Sequence, residues 1–197
     1  MRKNVKIIPD ESWRIQPLVI TVQNKKYLLI NVYFPTDPKT VNGDCLELDD
    51  CLARISAIIS RTEFHHLHIA GDLNFDERRN TSHSRKIIHF MAENKLVSTW
   101  RKFEIDFTHC YENENHETFV HTIDHFLVLE RSENVVIDAG VLHNVENLSD
   151  HAPIYSVIDS PNLEMERENE EAEHGPPKFD WKNATEDQKL DFNSEDS

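Results

Sequence analysis

Two β-prone runs, residues 17–23 (PLVITVQ) and 27–34 (YLLINVYF), are separated only by Asn24-Lys25-Lys26. That spacing reads as a β-hairpin, and the chain beyond it alternates between helical and extended patterns. Pro35, Asp37 and Pro38 break the sheet, and Asn42-Gly43-Asp44 forms a turn in which Asp44 and Glu47 resemble a capping box. Apolar residues then recur at Leu48, Leu52, Ile55 and Ile59, the three-to-four spacing of an amphipathic helix over about 45–60. Residues 66–70 (HLHIA) read as a short buried strand ending at Gly71. A second helix is predicted over 82–93, with Ser82 as N-cap, Ile87, Ile88 and Met91 as its buried face and Asn94 as its stop. Leu96 to Trp100 is a short apolar segment. Residues 118–129 (TFVHTIDHFLVL) are the strongest strand signal, and 135–142 and 152–158 are further strands. Hairpins mixed with crossovers predict a mixed-sheet α/β fold.

Composition separates the chain into a body and a tail. Of 197 residues, 36 are acidic and 21 basic, for a net charge of −15. Residues 161–197 hold 12 acidic and 4 basic residues, so the tail carries −8 and the body −7. The organisation expected is a body at 1–159 and an acidic, mostly disordered linker or tail at 160–197, too polar to bury a core. The balance argues against an electrostatic nucleic-acid binder, although carboxylates holding a divalent cation still bind phosphates. Only four glycines are present, and neither the dinucleotide nor the Walker pattern occurs. No apolar run reaches bilayer length, and the N-terminus lacks a secretory core. Three cysteines without metal-finger spacing argue against a disulfide scaffold. An intracellular monomer in nucleus or cytoplasm, not secreted and not in a membrane, is expected.

Four segments can carry chemistry. Gly71-Asp72-Leu73-Asn74 follows a strand; in extended geometry Asp72 and Asn74 share a side and can orient an attacking water, or the segment is simply a turn. In Thr122-Ile123-Asp124-His125, Asp124 lies within a β-prone run, where a carboxylate needs a partner. The same run puts Asp124 on a face with Thr122 and Phe126, and His121 with His125 on the other. The two histidines stand four apart, as zinc ligands do on a helix, but the segment reads as strand and lacks the accompanying Glu. In Ser149-Asp150-His151-Ala152-Pro153, His151 is the best general acid or phosphate donor in the chain, with Asp124 the candidate to fix its tautomer. Tyr33, in Asn31-Val32-Tyr33-Phe34-Pro35, either presents a hydroxyl at the same rim or is a core aromatic. The basic pairs Arg78-Arg79, Arg85-Lys86 and Arg101-Lys102 flank the second helix and read as a solvated face ahead of the alternative, a face toward a phosphate backbone.

The order NVYFP, GDLN, TIDHF, SDHAPI resembles the endonuclease/exonuclease/phosphatase superfamily, the DNase I and abasic-site endonuclease group. Within it the chain looks most like the endonuclease domain of non-LTR (LINE-type) retrotransposons. Asp106-Phe107-Thr108, the wording NLSDHAPI and the tail PPKFDWKNATEDQK add to that likeness, which covers most of 15–160.

The resemblance implies a four-layer α-β-β-α sandwich and Mg²⁺- or Mn²⁺-assisted hydrolysis of a DNA phosphodiester, leaving a 5′-phosphate and a 3′-hydroxyl. It implies that Tyr33 contacts the scissile phosphate, that Asp72 and Asn74 orient and deprotonate water, and that Asp124 buttresses His151. It places Asp150 near the metal and Thr108 at the DNA-contacting site, with a reverse transcriptase downstream in a full-length element. The family's metal-binding Glu and an Asn precede NVYFP on earlier strands, and no residue before Tyr33 matches them. The chain is therefore read as a C-terminal portion lacking the first strands, with weak or no activity. The alternatives are a phosphoinositide or calcineurin-like phosphatase, and a non-catalytic binding remnant.

Overall fold

The computed structural model describes residues 4–37, 45–143 and 147–159. All lie in the first of two units into which the chain divides, Met1–Pro161. The tail at 160–197 and the Asn42-Gly43-Asp44 turn lie outside the described residues.

A six-stranded mixed sheet runs in the order β1-β2-β3-β4-β8-β5. Its strands are β1 (Val5–Ile7), β2 (Ile15–Val22), β3 (Lys25–Tyr33), β4 (His66–Asp72), β5 (Leu96–Ser98) and β8 (Asp124–Leu129). The hairpin is tighter than the sequence implies. Val22 pairs with Lys25, and the two turn residues Gln23 and Asn24 have φ of 46° and 64°. Positive φ at both positions is the twist that suits a two-residue hairpin. β3 and β4 then run parallel, joined by the crossover helix α1 (Leu46–Arg61).

Helix α1 buries Leu48, Cys51, Leu52, Ile55 and Ile58, with Ile59 packed at the margin. Its N-cap is Cys45, without a side-chain capping bond; Asp44 of the expected capping box lies outside the described residues. Helix α2 (Ser82–Glu93) keeps the expected bounds but is capped by Thr81, whose Oγ1 accepts from the Ser84 amide and donates to Asp37. It buries Ile87 and Phe90 and turns Ile88 outward. Both helices share one core with Ile15, Val19, Leu28, Ile30, Val32, Leu67 and Ile69. Fully burying each such side chain stabilises the fold by roughly 1.5–3 kcal/mol.

The continuous strand expected over 118–129 is broken in two. β7 (Thr118–His121) pairs with β6 (His109–Glu112), whereas β8 belongs to the large sheet. The break at Thr122-Ile123 cancels the predicted parity. His125 is buried on the helix side, bonded to the Phe75 carbonyl at 2.8 Å, while His121 contacts Arg79. The zinc spacing therefore has no counterpart in space.

A third ladder pairs β9 (Val136–Val141) with β10 (Ile154–Ile158), and β10 approaches β8 on the helix-free side of the large sheet. A second core of Val97, Val128, Val136 and Ala139 lies there, joined by Trp100 and Phe103. The described residues thus hold helices on one face of a six-stranded sheet and short ladders beyond it. Cys45, Cys51 and Cys110 form no disulfide with one another. Among the described residues, no helix is long and apolar enough to cross a membrane.

Candidate active site

Strand register brings the first residues together. Tyr33 on β3 pairs with Asp72 on β4, and Asp72 pairs with Asp124 on β8. Paired residues in one row project to the same face; here it is the face opposite the helices. The close approach of β3 to β4 depends on Gly71, which has φ of +133° and an α-carbon so near the neighbouring strand that a Cβ would sit 2.0 Å from the Val32 carbonyl oxygen.

Asp72 and Asn74 meet by a turn rather than along an extended strand. Asn74 has φ of 47°. Its backbone N–H donates to Asp72 Oδ1 at 2.8 Å, and its side-chain amide donates to the Phe34 carbonyl at 2.9 Å and to Asp72 Oδ2 at 3.3 Å. This is an Asx-type arrangement, so the turn reading and the functional reading describe the same atoms.

His151 reaches the row from the loop before β10. Its Nδ1 lies 2.9 Å from Asp124 Oδ2, and the Asp124 side chain is only 13% exposed. The loop is fixed by backbone bonds from Cys110 N to the Asp150 carbonyl and from Ala152 N to the Thr108 carbonyl. Asp72, Asp124 and His151 present ligand atoms within 4.8 Å of one another. A cleft of about 220 Å³ opens beside them, lined by Tyr33, Asp72, Asn74 and His151 and by Arg79 and His121.

Two expected residues sit differently. Thr108 is fully buried. Its Oγ1 accepts the backbone N–H groups of Ile123 and Asp124, each at 3.0 Å, which holds the β7–β8 break. Its hydroxyl is thus engaged inside the protein, at the backbone of Ile123 and Asp124. Thr108→Val strands both N–H donors, and two-state denaturant unfolding should lose about 2–4 kcal/mol, with Thr108→Ser close to wild type. Asp150 is mostly exposed and reaches His109 Nε2 at 3.3 Å rather than Asp72.

The electrostatics follow from burial beside like charge. Burial, with the charges of Asp124 and Asp150, pushes the Asp72 carboxyl up to about 6. Burial works against the charged His151 imidazole, but the hydrogen bond and charge of Asp124 outweigh it, and the His151 pKa lies above the ordinary value. Asp150 lies below the usual carboxylate range: slight burial opposes this, but a backbone hydrogen bond and the nearby imidazoles of His151 and His109 prevail.

Both Asp72 and His151 are raised, so both contribute stability at low pH that is lost on going up. For Asp72 the loss falls between about pH 4 and 6. In metal-free buffer, Asp72→Asn should raise the Tm at pH 8 and lose that advantage below about pH 4, as thermal scans across the range will show.

Sequence reasoning missed His109, Trp13 and Arg14, and it left His121 and Arg79 outside the site. Arg14 lies over the rings of Trp13 and Tyr33, at 4.2 and 5.2 Å from their centroids. Arg79 is half-buried against His121 at 3.0 Å, whereas Arg78 pairs with Asp76. The basic pair thus divides between cleft and surface. The signal for His109 was its place next to Thr108; the rest depend on tertiary folding alone.

No family model matches the chain, and no curated protein matches it by sequence. Solved structures do match its fold. The endonuclease domain of TRAS1, a telomere-specific non-LTR retrotransposon, superposes with a TM-score of 0.64 at 14% identity, over 80% of this chain and 70% of that one. The 3′ phosphatase NExo from Neisseria, bound to product DNA hairpin, gives 0.59 at 16% identity over 80% and 71%. The AP endonuclease LMAP from Leishmania major gives 0.59 at 17% identity over 77% and 56%. These likenesses show a DNase I-like fold.

Proposed function

We propose that this DNase I-like chain is a divalent-metal-dependent phosphodiester hydrolase, a DNA endonuclease of the retrotransposon type. The observation that carries the reading is the meeting of Asp72, Asn74, the Asp124–His151 pair and Tyr33 at one cleft. The likeness to TRAS1 and the four ordered motifs support the retrotransposon type.

The donor set fits a hard cation. Asp72 and Asp150 offer carboxylate oxygens, and the Asn74 amide, whose nitrogen is committed to Phe34 and Asp72, keeps its carbonyl oxygen as an acceptor. A buried carboxylate facing other carboxylates is the arrangement that added positive charge relieves. These residues would hold Mg²⁺ or Mn²⁺, which would supply offset for charge developing on the phosphate and the leaving oxygen.

The chain's own groups divide the remaining work. Asp72 takes the proton of an attacking water that Asn74, hydrogen-bonded to it, orients. His151, held by Asp124 through Nδ1, directs Nε2–H at a phosphate oxygen as charge accumulates. Tyr33, half-exposed at the rim, contacts the phosphate from the other side. Thr108 and Asp124 are positioning residues. Few carboxylates serve the cation, so activity is expected to be low and to require millimolar metal.

The test is nicking of supercoiled plasmid with Mg²⁺ or Mn²⁺. The proposal expects nicks ending in 5′-phosphate and 3′-hydroxyl, abolished by EDTA and by Asp72→Ala. No nicking at any metal concentration, or nicking unchanged in Asp72→Ala, overturns it. A phosphomonoesterase uses the same groups; release of phosphate from a 3′-phosphorylated oligonucleotide without plasmid nicking would select that reading.

A further inference from the structure

His151 belongs to two groups of ligand atoms. One is Asp72, Asp124 and His151; the other is His109, Asp150 and His151, again with ligand atoms within 4.8 Å of one another. We propose that the second group is a binding site for a borderline transition-metal ion such as Zn²⁺ or Co²⁺, distinct from the Asp72-centred set of the proposed hydrolytic centre, and that occupancy there withdraws His151 and Asp150 from it.

The backbone builds this group. His109 and His151 face each other as an isolated antiparallel bridge. That bridge is clamped on both sides by the Cys110–Asp150 and Ala152–Thr108 backbone bonds, at 2.8 and 2.7 Å. Directly opposed residues on neighbouring antiparallel segments place their side chains together on one face, and the two imidazole centroids are 4.7 Å apart. Asp150, whose carbonyl accepts in one of the clamps, turns its carboxylate to His109 Nε2 at 3.3 Å.

The imidazoles are also prepared for a metal. Asp124 engages Nδ1 of His151, leaving Nε2 as the other donor, which is the carboxylate–histidine arrangement that orients and strengthens a metal-ligating histidine. His109 is largely buried, and its Nδ1 has no hydrogen-bond partner among the described residues, so the ring's polar contact is the Asp150 carboxylate at Nε2. Two nitrogens and one carboxylate oxygen are the three-protein-ligand set in which zinc keeps a fourth position open. Nitrogen donors favour Zn²⁺, Co²⁺ and Ni²⁺ over Mg²⁺, which prefers oxygen. The aromatic wall of Tyr111 and His121 stands around His109, at 5.6 and 6.0 Å between centroids, and limits how far its ring can turn away.

The decisive measurement is visible absorption and calorimetry of the untagged full chain titrated with Co²⁺ and then Zn²⁺, without Mg²⁺. One equivalent should give d–d bands of a low-coordinate cobalt centre, displaced by zinc. His109→Phe, which keeps a ring in that wall, should weaken binding more than about tenfold, and Asp124→Asn by roughly 10–100-fold through loss of its support for His151. Asp72→Asn should leave cobalt binding intact. Absence of a one-equivalent cobalt signal, or a signal kept in His109→Phe, overturns the site. So does one lost in Asp72→Asn, because the metal then belongs to the other group. The effect on His151 rests on the proposed hydrolytic reading and is read separately: Zn²⁺ should suppress Mg²⁺-dependent nicking by wild type but not by His109→Phe. Suppression that persists in His109→Phe overturns that second claim and leaves the cobalt result standing.

Discussion

Plasmid nicking is expected to fall by about 10²–10⁴-fold in His151→Ala, the range over which a positioned proton donor acts. The side chain is one-third exposed, but its removal strands the largely buried Asp124 carboxylate, so the variant should also lose about 1–3 kcal/mol of stability. Denaturant unfolding of the same variant separates the loss of rate from that loss of stability. Asp124→Asn should give a smaller loss of rate, because the imidazole remains but loses the carboxylate that orients it and raises its pKa. Single-turnover nicking at saturating Mg²⁺, beside denaturant unfolding of each variant, is the measurement. A His151→Ala protein that nicks at the wild-type rate would remove this histidine from the chemistry.

The second large effect is on folding. Gly71→Ala should cost at least about 4 kcal/mol or leave the protein insoluble. Two penalties coincide. The backbone there has φ of +133°, where an L side chain is strained, and the new Cβ would meet the Val32 carbonyl oxygen at 2.0 Å. The obstacle is main chain inside the parallel β3–β4 pair, so no rotamer change relieves it. Gly140→Ala is the contrast. Its Cβ would meet the end of the Tyr155 side chain at 2.9 Å, a group able to swing aside, and the cost should be at most about 1 kcal/mol. Soluble expression and denaturant midpoints of the two variants test the difference.

Much of the architecture was legible because it is written in local periodicity. Helix α2 keeps its predicted bounds of 82–93, with its stop at Asn94 as expected, although its cap is Thr81 rather than Ser82 and its buried face is Ile87 and Phe90 rather than Ile87, Ile88 and Met91. The 118–129 run was misread for a reason of range. Its propensity is continuous, and the break at Thr122-Ile123 is imposed by the Thr108 hydroxyl, fifteen and sixteen residues away in sequence from its two donors. β1 and β6 were missed because neither carries a strong apolar alternation; each is defined by its partner strand. At the site, Asp72 and His151 stood out as chemistry-bearing residues beside predicted strands. His109 was marked only by its place next to Thr108, and Arg14 not at all, since strand pairing and ring stacking bring them in.

The row Tyr33–Asp72–Asp124 has a consequence for how preparations of this protein are judged. Side chains alternate along a strand with period two, so a slip of a single residue between β3 and β4, or between β4 and β8, would swing an acidic group to the helix side. Helix content and overall dimensions would scarcely change. Specific activity would then report strand alignment that circular dichroism and gel filtration cannot see, and a well-behaved but inert sample would be one whose ladders had closed one notch off.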